Sequence, residues 1–108
     1  MSGSGGGGGG GGGIGKKDCS SLFIKTYLNS PKPSVLNTLK KGDVLQVELA
    51  GTGARRIVQA STKKGAVAGS ITGADLADLI ACINEGYDFV AIVESVSGGS
   101  CEVTVRPK

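Results

Sequence analysis

Three cysteines, a set of adjacent basic pairs and one glycine-rich loop are the features of this sequence that could do chemistry. Cys19, Cys82 and Cys101 are the strongest nucleophile candidates, yet the chain contains no histidine. That removes the Ser-His-Asp and Cys-His arrangements and the usual proton shuttle near neutral pH, so no catalytic residue is assigned. The cysteines are odd in number and far apart, which predicts reduced thiols in structural positions instead of a disulfide framework. Without a C-x-x-C pair or a histidine, no metal site and no cofactor are expected. Gly51-Thr52-Gly53-Ala54-Arg55-Arg56 superficially resembles a phosphate loop. It lacks the third glycine, the lysine and the following helix, and reads as an ordinary turn. Backbone donors at Ser70 to Asp75 could meet an anion, but Asp75 and Asp78 would repel one. Asp75, Asp78 and Glu85 sit where a solvated helix face places charge, and no carboxylate pair demands acid-base chemistry.

The basic residues are unevenly distributed. From Asp18 to Lys64, eight basic residues face three acidic ones, a balance of +5, and from Gly65 onward two basic residues face six acidic ones, a balance of −4. Lys40-Lys41, Arg55-Arg56 and Lys63-Lys64 sit beside predicted turns, and Lys16-Lys17 adds a fourth pair. If the fold gathers those turns, a phosphate-binding rim results; if it does not, the pairs merely solvate loops. Single-strand binders also stack bases on aromatics. Here only Phe23 and Tyr27, which share a strand face with Lys25, are placed to do so.

The elements that must position these groups are mostly strands. Leu22 to Leu28 alternates Leu22, Ile24, Thr26 and Leu28 against Phe23, Lys25 and Tyr27, until Pro31 and Pro33 break the ladder. Ser34 is a candidate cap for a short helical turn over about 34–40, ended by Gly42. Asp43 to Leu49 is a half-buried strand, Arg56 to Ala60 and Ala66 to Ile71 are two more, and Tyr87 to Val96 forms a hairpin with the strand containing Cys101, Val103 and Val105. One longer helix, about 73–85, carries Leu76, Leu79, Ile80 and Ile83 in a core-facing stripe, with Cys82 at its edge. Thr72 and Asp75 suggest a capping box, and Gly86 the stop. Six strands with one helix of this length predict a mainly β, α+β fold: a small bent β-barrel of about six strands, capped by the helix so that few edges stay unpaired.

Eleven of the twenty glycines fall within the first fifteen residues. Residues 1–16 are therefore expected to be a disordered tail, either a native linker or an artificial addition, ahead of one small domain over 17–108. The domain has no tryptophan and two each of tyrosine and phenylalanine, so its core is aliphatic. No run approaches the roughly 18–20 apolar residues of a membrane span, and the start lacks the basic-then-apolar pattern of a secretory signal. A cytoplasmic protein without a membrane partner is expected.

The order Leu39-Lys-Lys-Gly42-Asp43-Val-Leu45, a strand hairpin, Gly69-Ser-Ile71 leading into Ala74-Asp-Leu76-Ala77-Asp-Leu79-Ile80, and then Val90-Ala-Ile-Val93 resembles a HIRAN domain. The likeness covers roughly sixty residues and lies in spacing and apolar character. It implies a modified OB-like barrel, found beside helicase and nuclease modules and also alone, some members of which hold the 3′ end of single-stranded DNA. Where that family carries an acidic residue followed by an Asn-x-x-Asp-x-Asn-Ala run, this chain has Glu48 to Arg56. No pocket residue is carried over.

The expected function is a non-catalytic nucleic-acid-binding accessory module, for single-stranded or duplex nucleic acid. Its candidate contacts are Lys40, Lys41, Arg55, Arg56, Lys63 and Lys64, with Lys25 and Tyr27. The alternative is a protein-interaction or self-association module that uses the opposed basic and acidic regions.

Overall fold

A computed structural model of the chain describes residues 18–51 and 56–108. The expectations for residues 1–16, for Lys16-Lys17, for Arg55 and for the turn Gly51-Thr52-Gly53 lie wholly or partly outside them.

Six antiparallel strands form one curled sheet, a half-barrel: β1 (Ile24–Tyr27), β2 (Val44–Ala50), β3 (Ile57–Ser61), β4 (Val67–Ile71), β5 (Phe89–Ser97) and β6 (Ser100–Pro107). Their spatial order is β1-β6-β5-β2-β3-β4. Alternation places the side chains as anticipated. Ile24 and Leu28 turn inward while Lys25 and Tyr27 face out, and Phe89, Ala91 and Val93 of β5 meet Cys101, Val103 and Val105 of β6 inside. Register shifts at Ala60/Ser61 and Val93/Ser95 add the local twist that lets a short sheet curl. At the second shift Thr104 Oγ1 donates to Glu94 Oε2 at 2.8 Å, which ties the bulged residue to the neighbouring strand.

Curling brings the two edge strands together. Past β1, the Leu28 amide still donates to Cys101 of β6, but Asn29 exchanges both backbone bonds with Ser70 of β4, at 2.8 and 2.9 Å. The Lys32 amide then donates to the Ala68 carbonyl at 2.9 Å. This closure needs a residue without a side chain at position 69: a Cβ there would lie 2.9 Å from Leu28 Cβ and 3.1 Å from the Asn29 carbonyl oxygen.

Two helices cover the ends. The short α1 (Pro33–Leu36) buries Leu36. Its N-cap is Lys32, with Pro33 in the first turn, so Ser34 is not the cap. Proline suits that position because its φ is already helical and it has no N–H to leave unpaired. The longer α2 (Leu76–Asn84) starts from Asp75, which makes no side-chain cap bond. In place of the expected capping box, a backbone turn satisfies the first amide, Leu76 donating to Gly73 at 3.2 Å. Gly86 does end the helix. It takes φ 102°, and the bonds from Gly86 to Ile83 and from Tyr87 to Cys82 form a Schellman motif.

The expectation of three reduced thiols is also overturned. Cys19, in a 3-10 turn at Cys19–Ser21, and Cys82 of α2 are joined in a disulfide with a Cα–Cα distance of 5.6 Å. Only Cys101 is a free thiol, and it is buried. Cys82 lies in the middle of the buried helix face, with Leu79, and not at its edge. A separation of 63 residues says nothing about proximity once the sheet curls: the Cys19 turn precedes β1 at the same end of the sheet where α2 connects β4 to β5. The chain's last amide, Lys108, donates to Asp88 there as well, at 2.9 Å.

Two stability predictions follow from these contacts. Gly69→Ala will force Leu28 or the Asn29 carbonyl to move and cost about 1–3 kcal/mol, read as a lowered Tm with roughly 4–8 °C lost per kcal/mol; an unchanged Tm would mean the closure is slack. Closing a loop of 63 residues removes enough denatured-state entropy to stabilise the fold by roughly 4 kcal/mol. Dithiothreitol should therefore lower the Tm of the native protein, Cys82→Ser should reproduce that loss without reductant, and Cys101→Ser should leave the sensitivity to reductant intact.

Candidate nucleic-acid interface

Antiparallel pairing of β2 with β3, in which Gln46 faces Ser61, decides which basic pairs meet. Lys40-Lys41 precede β2 and Lys63-Lys64 follow β3, so both pairs stand at the same end of the sheet. Arg56 precedes β3 and falls at the other end.

Each lysine turn is held by its own hydrogen bonds. In the first, the Asp43 amide donates to the Lys40 carbonyl at 3.0 Å, the Lys40 amide donates to Asp43 Oδ2 at 3.0 Å, and Lys40 Nζ lies 3.3 Å from Asp43 Oδ1. The Lys40 amide, and after it the Lys40 side chain, hold the Asp43 carboxyl below its ordinary pKa. Lys40 is thus partly spoken for, whereas Lys41 is exposed with its charge unshared among the described residues. In the second turn Gly65 donates to the Thr62 carbonyl and Thr62 to the Ala66 carbonyl, both at 2.9 Å, while the Ala66 amide donates to Thr62 Oγ1 at 3.2 Å. Lys63 and Lys64 project from it into solvent.

Between the turns runs an open groove of about 620 Å³. Lys63 and Lys64 line one lip. Leu39, Gly42 and Asp43 line the other, with Val35, Val44 and Leu45 among the apolar side chains beneath. A second groove, of about 420 Å³, crosses β3 and β4 and contains Arg56 together with Lys32. Lys25 and Tyr27 line neither: they stand on the outer face of β1, opposite Thr104 and Glu102. Phe23, also exposed, has the Arg106 guanidinium 5.9 Å from its ring centre, and the carboxylate opposite Tyr27 is unfavourable for a phosphate. Lys32 belongs to no basic pair and shares no strand face with an aromatic, so the sequence does not single it out. Its signal was the flanking prolines, Pro31 and Pro33, which hold it extended at the mouth of a groove.

The cysteines offer no reactive thiolate among the described residues. Two are bonded to each other, and burial pushes the Cys101 thiol pKa up, away from nucleophilic reactivity. No three His, Cys, Asp or Glu side chains cluster as a metal would require, among the same residues. Compared with protein-family models, curated proteins and solved structures, the chain matches none.

Because the folded pKa of Asp43 is depressed, its bonds stabilise the turn fully above the unfolded value near 3.9, and that contribution disappears as pH falls through the lower folded value. A carboxyl-detected NMR titration should find Asp43 below the usual aspartate range, with the Lys40 amide shift following the same midpoint. In Lys40→Ala the value should rise only partway, since the backbone amide remains; a full return to normal would assign the effect to the ammonium instead.

Proposed function

We propose that this domain is a non-catalytic nucleic-acid-binding module that holds a phosphodiester backbone at the groove flanked by Lys41, Lys63 and Lys64, with Lys40 as a partner shared with Asp43. The observation that carries this reading is the Lys63-Lys64 pair on one lip of the groove, faced by Leu39, Gly42 and Asp43 of the turn that bears Lys40 and Lys41. The likeness of Leu39 to Val96 to a HIRAN domain supports the same ligand class. No aromatic side chain among the described residues lines the groove, so base stacking contributes little and binding is driven by charge, with weak dependence on sequence.

A second reading, a protein-interaction or self-association module, draws on the apolar floor, where Val44 is 44% exposed. Light scattering at low and high salt separates the two: salt-sensitive dimers without nucleic-acid affinity favour the second. The compartment can be read from the Cys19–Cys82 pair. A cytoplasmic location predicts that the glutathione pool keeps the pair reduced in the cell, and thiol trapping on lysis reports it.

Fluorescence anisotropy with labelled 12-nucleotide single strands and 12-base-pair duplexes tests the main reading. Three phosphate contacts at this groove contribute roughly −2 to the slope of log K against log salt for a single strand, and Lys63→Ala/Lys64→Ala should flatten the slope by about 1.4. Absence of binding at 50 mM salt would overturn the reading.

A further inference from the structure

We infer that the groove containing Lys32 and Arg56 continues the same phosphate-binding path, so that a strand held at Lys63 and Lys64 passes Lys32 and leaves across the outside of β3 and β4 beside Arg56. The inference rests on the nucleic-acid reading and extends it to a second stretch of surface.

Three observations point to it. First, the two grooves share a narrow divide: Ala66 lines the first and Val67 the second, while Ser34 lines the first and Lys32 the second. The Lys32 amide bond to the Ala68 carbonyl, 2.9 Å, pins that divide. Second, among the described residues Lys32 and Arg56 are the only charged side chains lining the second groove, and both are exposed and positive. Its remaining polar groups add no negative charge, and the Gln59 and Thr72 side chains among them can donate hydrogen bonds to phosphate or sugar oxygens. Third, Lys32 is held in place. It is extended at φ −99° and ψ 111°, between two prolines and just after Ser30, a non-glycine residue at φ 48°. A lysine on so restricted a backbone loses less freedom on binding than one on a mobile loop.

The length of the path sets the footprint. Arg56 and Lys63 flank β3 seven residues apart, at most about 23 Å of extended chain at ~3.3 Å per residue. A stacked strand carries about seven phosphates over that distance at ~3.4 Å each. Affinity should therefore keep rising with oligonucleotide length well beyond a dinucleotide.

The test measures binding of single-stranded oligonucleotides of two, four, six, eight and twelve residues, and of a 12-base-pair duplex, to the full chain and to Lys32→Ala/Arg56→Ala. Both side chains are exposed, and the Lys32 amide bond survives the substitution, so the variant should match the parent in Tm. Wild-type affinity is expected to rise to about six to eight nucleotides. The variant should level off at about four, with a salt slope on the 12-mer shallower by about 1.4, and amide shifts at Gln59, Ser70 and Thr72 on titration should be lost. If the variant binds like wild type while Lys63→Ala/Lys64→Ala does not, the second groove is not on the path, although the first still binds nucleic acid. If neither wild type nor variant binds at 50 mM salt, the nucleic-acid reading falls and this inference with it.

Discussion

The pair of backbone bonds between Asn29 and Ser70 is the constraint on which the arrangement of the surface depends. A six-stranded sheet of this size has two edges whose unpaired amides and carbonyls would otherwise need another partner. Joining them at one residue pair stops the sheet from opening and delivers the chain, three residues later, to Lys32 on the β4 side. From Lys32 onward α1 can only lie over the end of the sheet where β2 begins and β3 finishes. The lysine groove is the space left between that short helix and the turn beyond β3. Gly69 carries the constraint in a single residue, because any Cβ would push the joined backbones apart.

The strand order explains why strong charge segregation along the sequence becomes only a divided basic surface in space. The acidic second half supplies β5 and β6, and these lie between β1 and β2 of the basic first half. Lys25 consequently shares an outer face with Glu94 and Glu102, remote in the sheet from the other lysines. The contacts that remain close together are those at turns joined by direct pairing of neighbours, β2 with β3 and β3 with β4. A balance of +5 against −4 by sequence position was therefore a poor guide to the electrostatic surface, while the position of each pair relative to a strand end was a good one.

Much of the fold was legible because period-two burial is a local property: Ile24, Leu45, Ala91 and Val103 each declare their face through immediate neighbours. Gly86 was equally legible, since a helix stop in the left-handed region asks for glycine. The disulfide was not, because it depends on two segments 63 residues apart meeting through the sheet's closure, and three cysteines leave several pairings open. The start of α2 misled for a different reason. Thr72 and Asp75 have the side chains of a capping box, but the helix begins only at Leu76, whose amide a backbone turn from Gly73 satisfies. Within the candidate site, the shared groove of Lys63 and Lys64 with the Lys40 turn was anticipated as a possibility of gathered turns; Lys32, a single lysine, carried no such flag.

The meeting of Cys19, α2 and Lys108 at one pole has a practical consequence for how the molecule is held by anything attached to it. Asp18 and Lys108 themselves both stand at the pole opposite the Lys63-Lys64 turn. A surface-immobilised sample, a fluorescent fusion or a neighbouring domain joined at Lys108 would be attached at the far pole from the Lys63-Lys64 turn.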